Sequence, residues 1–500
     1  MPAITEHYPV PDRTYVKRIR RHAPSALVPL IAATAAKVPP MSDREYRSSF
    51  AARLYNPWAL LDAAWVSLLR GSEDRSRPAR PADLEEVLQL YFALDEPMRQ
   101  QPVGERLEGF LLRLAGQQFV WQEPEFNELA RPVALFRHTT PADPAKAKVI
   151  TPGWDERLLG CSIGDYVGVA QLMWSAGNAQ GGRFDPRTLT RDVLDSFTGL
   201  DTRDDLTRVI DAHFATSTRA LREHAAAEAQ KAAAAGTPAL DAALRRFTFN
   251  PLRSRPALTD FGPGYLLPVP AAALAKVSPF GLYYTGWEAY QQAFADDLGD
   301  LFQEYVGNQL RLIEGAVVHR EFKYKNNKGK TVDSIDWFVV LDDLVLLVEV
   351  KSARPTASLR LGPTDWAQEF DTKLAKAVGQ LQKSADHLTA GTPEFAHIPL
   401  DGRRLLGVIV TMEPYHLANS EFRSALPTAN FPVTVAAVSE LEDLVTVTDT
   451  TVSDLLLTGS VAPEGWSIRA SVDGRAHGEN PVLVRALEEL PFSKRSAGRR

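Results

Sequence analysis

The sequence predicts an α/β (α+β) fold, with a mixed sheet flanked by helices in the second half and a mostly α-helical domain before it. Two observations carry this prediction. Residues 1–250 contain segments with apolar residues at helical spacing, separated by polar and proline-rich connectors. Residues 286–490 instead follow the order helix, three strands, helix, strand, strand, and their strand segments are short apolar runs rich in β-branched residues.

The composition is ordinary for a soluble globular protein. The 500 residues are 45% apolar and 24% charged, and such a length corresponds to roughly two to four domains. The formal net charge of −6 neither requires nor excludes a polyanionic partner, because contact with nucleic acid depends on local charge. The single Cys161 excludes an intramolecular disulfide and a multi-cysteine metal site, as in a protein of the reducing cytoplasm.

We expect a cytoplasmic protein without a membrane partner. No apolar run reaches the roughly 18 residues that a membrane-spanning helix needs. The basic segment Lys17–Arg21 precedes an alanine-rich stretch, Ala23–Ala36, in the manner of a signal peptide. That stretch is interrupted by Pro24 and Pro29, which argues against export. A solvated helix face or a contact with nucleic acid would also explain the basic segment.

Residues 1–250 form the predicted helical domain. Its role stays open, and binding of a partner protein is one candidate. A charged, proline-rich connector, Gly71–Pro81, separates its first two helical segments. The segments with helical spacing are Leu60–Arg70, Leu84–Leu94, Glu105–Leu114 and Arg191–Ala233.

Three further regions complete the predicted organisation. Residues 251–285 are rich in proline and aromatic residues, which favours an ordered, extended connector. Residues 286–490 form the second domain, and the basic residues 491–500 form a disordered tail. Asn326-Asn327-Lys328-Gly329 favours a hairpin turn between the first two strands of that domain. The predicted elements, in order, are a helix at Trp287–Ile313, strands at Val317–Lys325, Ser334–Leu341 and Leu344–Glu349, a helix at Asp365–Leu388, and strands at Arg404–Met412 and Val433–Val438.

Charged residues end the most apolar of these strands. The run Leu344–Val348 leads into Glu349-Val350-Lys351. Because side chains alternate along a strand, Glu349 and Lys351 project from one face and Val350 from the other. Two charges at the end of an apolar strand are costly unless they pair with each other or hold something charged.

An acidic residue lies on the preceding predicted strand. Asp336 is thirteen residues before Glu349 and sits within the strand-like run. Three other aspartates compete for the same role. Asp342 and Asp343 fall in a turn, where aspartate is favoured by turn chemistry alone, and Asp333 is at the strand start. We therefore select Asp336.

These residues resemble a known family. Ser334-Ile335-Asp336-Trp337 followed by Val348-Glu349-Val350-Lys351-Ser352 is similar to the core of the PD-(D/E)XK, or restriction-endonuclease-like, nuclease superfamily. The resemblance covers roughly residues 285–440 and includes the flanking helices. It implies a restriction-endonuclease-like core with one metal-dependent phosphodiesterase site. Ile335 stands where the motif name has proline, a substitution that many members share.

The chemistry of these side chains fits that implication. Asp336 and Glu349 can hold Mg²⁺ or Mn²⁺ through carboxylate oxygens, with the backbone carbonyl of Val350 as a further ligand. Such a metal polarises the scissile phosphate and lowers the pKa of a bound water. Lys351, on the same strand face as Glu349, can orient that water and stabilise the charge that develops on phosphorus oxygens.

The resemblance also implies supporting roles. Glu304 lies in a helix where family members often carry an acid that reaches the metal. Gln380 lies in the helix after the motif, where some branches carry a catalytic or positioning glutamine. Lys373, two turns earlier on a similar face, can touch phosphate.

Basic residues crowd the first predicted hairpin, and two interpretations stay open. One is a solvated edge hairpin whose lysines block edge pairing. The other is contact with a phosphate backbone. The residues are Arg320, Lys323, Lys325, Lys328 and Lys330.

We therefore expect a metal-dependent nuclease that acts on DNA rather than RNA, since most of the family it resembles cleaves DNA. Bacterial defence or DNA processing would suit a helical module followed by such a nuclease. A homodimer is compatible with the cutting of two strands. Two alternatives remain: a nucleic-acid-binding protein that keeps the nuclease fold without catalysis, and a sensor whose helical half holds the nuclease inactive until a trigger arrives.

Overall fold

The structure is a computed structural model in which the chain divides into two compact units. The first unit comprises Met1–Pro132, Gly153–Leu282 and Glu488–Arg500, and the second comprises Val133–Pro152 and Tyr283–Leu487. The predicted helix Glu105–Leu114, Lys328 of the hairpin and residues 494–500 of the tail lie outside the described residues. The residues that the structure describes are 9–38, 54–94, 126–234, 242–326, 329–352, 364–415, 418–419, 428–461 and 466–493.

The first unit is mainly helical. Its helices are α1 (Asp12–Ile19), α2 (Pro24–Ala35), α3 (Pro57–Arg70), α4 (Pro81–Phe92), α5 (Phe126–Phe136, ending in the second unit), α6 (Trp154–Leu159), α7 (Ile163–Ala179), α8 (Arg191–Leu194), α9 (Arg203–His213), α10 (Thr218–Ala234) and α11 (Ala272–Val277). Four two-residue strands form a small sheet in the order β1-β4-β3-β2: β1 (Arg183–Phe184), β2 (Ala215–Thr216), β3 (Ala257–Leu258) and β4 (Tyr265–Leu266).

Helix α3 is the centre of the first unit's core. Every residue from Trp58 to Leu68 is buried, and the helix is covered by α1, α2, α4 and α10. Its start follows local rules, because Pro57 occupies the first turn and the side chain of Asn56 accepts a hydrogen bond from the N–H of Ala59 at 2.9 Å.

The boundary between the two units differs from the domain boundary predicted near residue 250. Residues 251–282 belong to the first unit and contain a 3₁₀ turn, β3, β4 and α11, so they are not an extended connector. The start of the predicted tail also packs on the first unit, where the ring of Phe492 meets Phe197 at a centroid distance of 5.5 Å. Apolar residues in both segments explain the difference, because burying them stabilises the first unit.

The second unit is organised around a mixed sheet. Its helices are α12 (Pro279–Tyr290, beginning in the first unit), α13 (Gln292–Leu310), α14 (Thr364–Thr389), α15 (Val438–Leu444), α16 (Val452–Gly459), α17 (Ile468–Val472) and α18 (Pro481–Glu488, ending in the first unit). Its strands are β5 (Val317–Arg320), β6 (Lys323–Lys325), β7 (Thr331–Asp333), β8 (Trp337–Val340), β9 (Leu344–Lys351), β10 (Arg404–Thr411) and β11 (Val433–Ala437).

The strand order of the main sheet is β11-β10-β9-β8-β5. Strands β5, β8 and β9 form an antiparallel meander, whereas β9, β10 and β11 are parallel. Helix α14 connects the parallel strands β9 and β10, as a parallel pair requires. The predicted mixed sheet with helices is therefore confirmed as an α/β architecture.

Two predicted strands differ from the structure. The first, Val317–Lys325, is split into β5 and β6, and the second, Ser334–Leu341, is shortened to β8, while β7 lies just before its predicted start. The reason is the choice of partner: β6 pairs with β7 as a separate two-stranded sheet, while β5 pairs with β8 in the main sheet. The alternation of apolar and polar residues indicates which side chains are buried, but it does not indicate which strand pairs with which.

The predicted helix Trp287–Ile313 is also two helices. The break lies at Gln291, whose φ of 51° is outside the helical region. Helix α13 then fixes the segment Val133–Pro152 to this unit. The buried carboxylate of Asp297 accepts hydrogen bonds from the backbone N–H groups of Lys148, Val149 and Ile150 at 2.6–3.1 Å.

Helix α13 approaches the sheet closely at Gly307. A Cβ atom there would lie 2.3 Å from Cζ2 of Trp337 on β8. Trp337 is fully buried, donates its indole N–H to the carbonyl of Gln303 at 3.1 Å, and lies 4.8 Å from the guanidinium of Arg311. The ring is therefore held on several sides and has little room to move.

We expect Gly307→Ala to destabilise the second unit by about 2 kcal/mol, because the cost of overpacking exceeds the gain in helix propensity. Gly379→Ala is the matched control. It lies in α14 with nothing within 4 Å of its Cβ position, so it should stabilise by about 0.5–1 kcal/mol. Urea unfolding of both variants measures the difference, and equal effects would contradict the close packing of Gly307 on Trp337.

Among the residues that the structure describes, no helix is both long and apolar enough to cross a bilayer.

Candidate functional site

The main sheet changes its pairing where β8 begins. Trp337 pairs with Val348, and the chain before Trp337 leaves the ladder. The N–H of Ile335 turns to the hydroxyl of Ser384 on α14, at 3.3 Å. Residue 350 on β9 is thereby left without a backbone partner on β8, and the side chain of Asp336 takes that place: its Oδ2 accepts the N–H of Val350 at 2.6 Å.

The same register sets Asp336 beside Glu349. The ladder ends at Trp337 and Val348, the carboxylate of Asp336 then accepts the N–H of Val350, and the charge of Glu349 acts directly on Asp336. The predicted Asp336–Glu349 pair is therefore brought together at the start of β8 and the end of β9. The N–H and the C=O of one strand residue point toward the same neighbouring strand. The carbonyl of Val350 therefore points to the side of β9 on which Asp336 lies.

Glu349 is buried, and its two carboxylate oxygens differ in their hydrogen bonding. Its side chain is 2% exposed, and Oε1 accepts a hydrogen bond from Nζ of Lys351 at 2.5 Å. The other oxygen, Oε2, is buried and has no hydrogen-bond partner within the described part of the chain. Buried carboxylate oxygens are seldom left in this state, since desolvation without a hydrogen bond is costly.

Helix α14 completes the cluster. Nζ of Lys351 lies 3.2 Å from Oε1 of Gln380 and donates a second hydrogen bond there. Gln380 and Ser384 are one turn apart on α14, so one helix face contacts both Lys351 and the backbone before Asp336. The four predicted catalytic residues, Asp336, Glu349, Lys351 and Gln380, thus form one connected group.

Burial controls the electrostatics of the two carboxylates. Desolvation raises the pKa of Asp336 well above its usual range, and the charge of Glu349 raises it further, while the N–H of Val350 and the ammonium of Lys351 oppose the shift. Desolvation also raises the pKa of Glu349; the charge and hydrogen bond of Lys351 oppose that shift, and the backbone N–H of Asp336 opposes it more weakly. Titratable groups perturbed by burial and by named charges are typical of functional sites.

Glu304 forms an ion pair with Arg320. Its Oε1 lies 2.8 Å from the guanidinium of Arg320, at ion-pair distance but without hydrogen-bond alignment. Burial raises the pKa of Glu304, and the charge of Arg320 opposes the shift. The structure therefore pairs Glu304 with Arg320, which is itself one of the predicted phosphate contacts, and the metal role of Glu304 stays a prediction.

Sequence reasoning missed two residues of this region. Glu321 donates its backbone N–H to the carbonyl of Asp336 at 2.8 Å, and its carboxylate accepts a hydrogen bond from Gln303 at 3.1 Å. Its charge contributes to the raised pKa of both Asp336 and Glu349. The other is Ser384, which its four-residue spacing from Gln380 on a predicted helix could have indicated.

The predicted basic hairpin is divided: Arg320 lies on β5, an edge strand of the main sheet, whereas β6 and β7 form a separate two-stranded sheet that packs on α14. Tyr324 of β6 is buried against the rings of His387 and Phe395, at centroid distances of 4.6 and 5.2 Å. Lys323 pairs with Asp333 across the hairpin at 2.7 Å, while Lys325 and Lys330 are exposed. The side chain of Lys373, predicted to touch phosphate, lies outside the described residues.

A divalent cation fits this donor set only in part. In the described ranges, no group of three or more His, Cys, Asp or Glu side chains is arranged to hold a metal ion. The available donors are the carboxylates of Asp336 and Glu349 and the carbonyl of Val350, which are the oxygen ligands that Mg²⁺ and Mn²⁺ prefer. The unpartnered Oε2 of Glu349 is the atom that a cation would satisfy.

Comparison of the chain with protein-family models, with curated proteins and with solved structures finds no match. The resemblance to the PD-(D/E)XK superfamily therefore depends on the motif residues and their spacing alone.

Proposed function

We propose that the second unit is a metal-dependent nuclease that hydrolyses phosphodiester bonds of DNA, in the manner of the PD-(D/E)XK superfamily that it resembles. One observation carries the proposal. Glu349 keeps a buried oxygen without a partner, next to a second carboxylate, at the open end of a sheet ladder. A purely structural ion pair between Glu349 and Lys351 would not require Asp336 or the unpartnered oxygen.

The carboxylates of Asp336 and Glu349, together with the carbonyl of Val350, would hold the metal. When bound, Mg²⁺ or Mn²⁺ supplies Lewis acidity toward the phosphate and lowers the pKa of a coordinated water. Two carboxylates share one lysine, and a bound cation would favour the ionised form of both, against the desolvation that raises the pKa of each. The hydrogen bond from Val350 to Asp336 orients that carboxylate before any ligand arrives.

Lys351 would act on the substrate. Glu349 and Gln380 hold its ammonium group from two sides, so little conformational freedom is lost when a phosphate binds. From there it can orient the attacking water and donate to the oxygens on which negative charge accumulates. Gln380 would position Lys351 and make no contact with the reacting atoms.

DNA is proposed as the substrate because most of the superfamily that the motif resembles cleaves DNA. The exposed Lys325 and Lys330 of the hairpin add local positive charge that suits a phosphate backbone. A role in bacterial defence or DNA processing follows only by analogy with other chains that join a helical module to such a nuclease.

The test is cleavage by the purified full-length protein of linear, circular and single-stranded DNA, with RNA in parallel. We expect cleavage with Mg²⁺ or Mn²⁺, none with a chelator, and none for Glu349→Gln, which keeps the shape of the side chain but removes its charge. Calorimetry with each metal alone gives an independent measurement, in which Glu349→Gln should bind at least about tenfold more weakly.

The results of the cleavage and calorimetry experiments distinguish the alternative functions of the protein. Metal binding without cleavage would favour a gated sensor over an active nuclease. If neither cleavage nor metal binding is detected, the enzyme hypothesis is wrong, and a binding protein that keeps this fold becomes the better interpretation.

A further inference from the structure

Helix α1 of the first unit presents a basic outer face. Its inner face carries Tyr15 and Ile19, which are fully buried. Residues 13, 17 and 20 follow the spacing i, i+4, i+7, which places them on one side of the helix over about 10 Å. We call this group, together with the residue that follows it, the α1 basic surface: Arg13, Lys17, Arg20 and Arg21, all exposed.

Among the residues that the structure describes, no acid neutralises the cations of the α1 basic surface. Arg18, between them, is directed to the carboxylates of Glu86 and Asp83 on α4 and is mostly buried. The α1 basic surface itself makes no ion pair with any acid in the described ranges. A face that served only to stabilise the fold would be expected to resemble Arg18, with its charges paired.

A charged connector packs beside α1. The connector between α3 and α4 places the carbonyl of Arg77 3.3 Å from Nδ1 of His22, which follows α1. The guanidinium of Arg77 binds Asp83 at 2.9 Å, the same carboxylate that Arg18 approaches. Arg75 and Arg80 of this connector are exposed, and so are its acids Glu73 and Asp74, which accept hydrogen bonds from Ser25 and Ser72. The exposed charges of the connector therefore balance, and the positive charge of this side of the first unit comes from α1 itself.

We propose that the α1 basic surface binds the phosphate backbone of nucleic acid without reading its sequence. The choice of nucleic acid as the polyanion rests on the proposed function of the second unit. Insertion into a membrane is disfavoured, because the apolar side of α1 is already buried in the core and leaves nothing to enter the lipid. Arginine is well suited to phosphate, since its planar guanidinium donates two parallel hydrogen bonds.

The experiment measures binding and does not require cleavage. Full-length Glu349→Gln protein is titrated in chelator into a labelled mixed-sequence DNA duplex, and anisotropy is followed at several salt concentrations. A variant with all four residues of the α1 basic surface changed to Gln should bind at least about tenfold more weakly at physiological salt. Its salt dependence, d log K/d log[salt], should be shallower by up to about 3.6, which is about 0.9 for each lost phosphate contact.

A control variant removes the same number of charges elsewhere on the first unit. Its exposed cations each pair with a neighbouring acid at 2.7–2.8 Å, and it should change the salt dependence by less than about 1. The control substitutions are Arg187→Gln, Arg191→Gln, Arg219→Gln and Lys231→Gln. The double variant Arg13→Gln, Lys17→Gln serves as a milder test and should show about half of the effect on the slope.

The inference is overturned if the four-residue variant keeps the parental salt dependence, if the control loses affinity equally, or if the parent binds anionic vesicles but not DNA. Thermal unfolding checks that the variants are folded. Because anisotropy is measured in chelator, a protein without nuclease activity can still support the inference, and an active nuclease can still overturn it.

Discussion

Replacing Lys351 with methionine is expected to lower DNA cleavage by about 100- to 1,000-fold, through the chemical step, because the variant loses the donor to the developing charge. Methionine retains most of the side-chain length and keeps the apolar part of the contact. Single-turnover cleavage at saturating Mg²⁺ measures the change. Gln380→Ala should have a smaller effect of about tenfold, since Gln380 only holds the ammonium of Lys351 in place.

Lys376→Met is the matched control for that substitution. Lys376 lies on α14 one turn before Gln380 and is exposed, so its loss should leave cleavage within about threefold of the parent.

The metal affinity of the Lys351→Met variant distinguishes a chemical role of Lys351 from a structural one. Removing the ammonium beside Glu349 takes away a competing positive charge, so Lys351→Met should bind Mg²⁺ more tightly. Weaker metal binding together with lost cleavage would instead indicate that Lys351 holds the site together.

Arg245→Met is expected to destabilise the first unit by about 3–5 kcal/mol, because it leaves a buried carboxylate without its cation. The guanidinium of Arg245 makes two hydrogen bonds to Asp62 of α3, at 2.7 and 3.1 Å, and a third to Asp12 of α1 at 2.9 Å. Tyr15 donates a hydrogen bond to the same Asp62 at 2.9 Å. Denaturant unfolding, followed by fluorescence, measures the loss.

Two comparisons make this result specific. Arg219→Met removes an arginine from a pair with Glu223 that is exposed on α10, and it should cost no more than about 1 kcal/mol. The double variant Arg245→Met, Asp62→Leu removes both partners and should recover part of the stability, because the uncompensated charge is then absent. If the single and double variants are equally unstable, the loss comes from packing rather than from the charge of Asp62.

The sequence by itself determined the elements that carry the candidate site. The structure has α14 at Thr364–Thr389, β9 at Leu344–Lys351 and β10 at Arg404–Thr411, each within a residue or two of the prediction. Apolar spacing is a local property, so it could be recognised without knowing the fold. The position of Glu349 and Lys351 on one strand face followed from alternation alone.

Only the tertiary structure decided which groups meet. Asp336 reaches Val350 because the chain before Trp337 leaves the ladder, and Gln380 reaches Lys351 because α14 packs on β9. Three further contacts join residues that are distant in sequence. Strand β5 pairs with β8 rather than with β6, Asp297 holds the segment Val133–Pro152, and Arg245 pairs with Asp62. Such contacts depend on strand register and on burial shared between distant segments, for which a single sequence has no local signal.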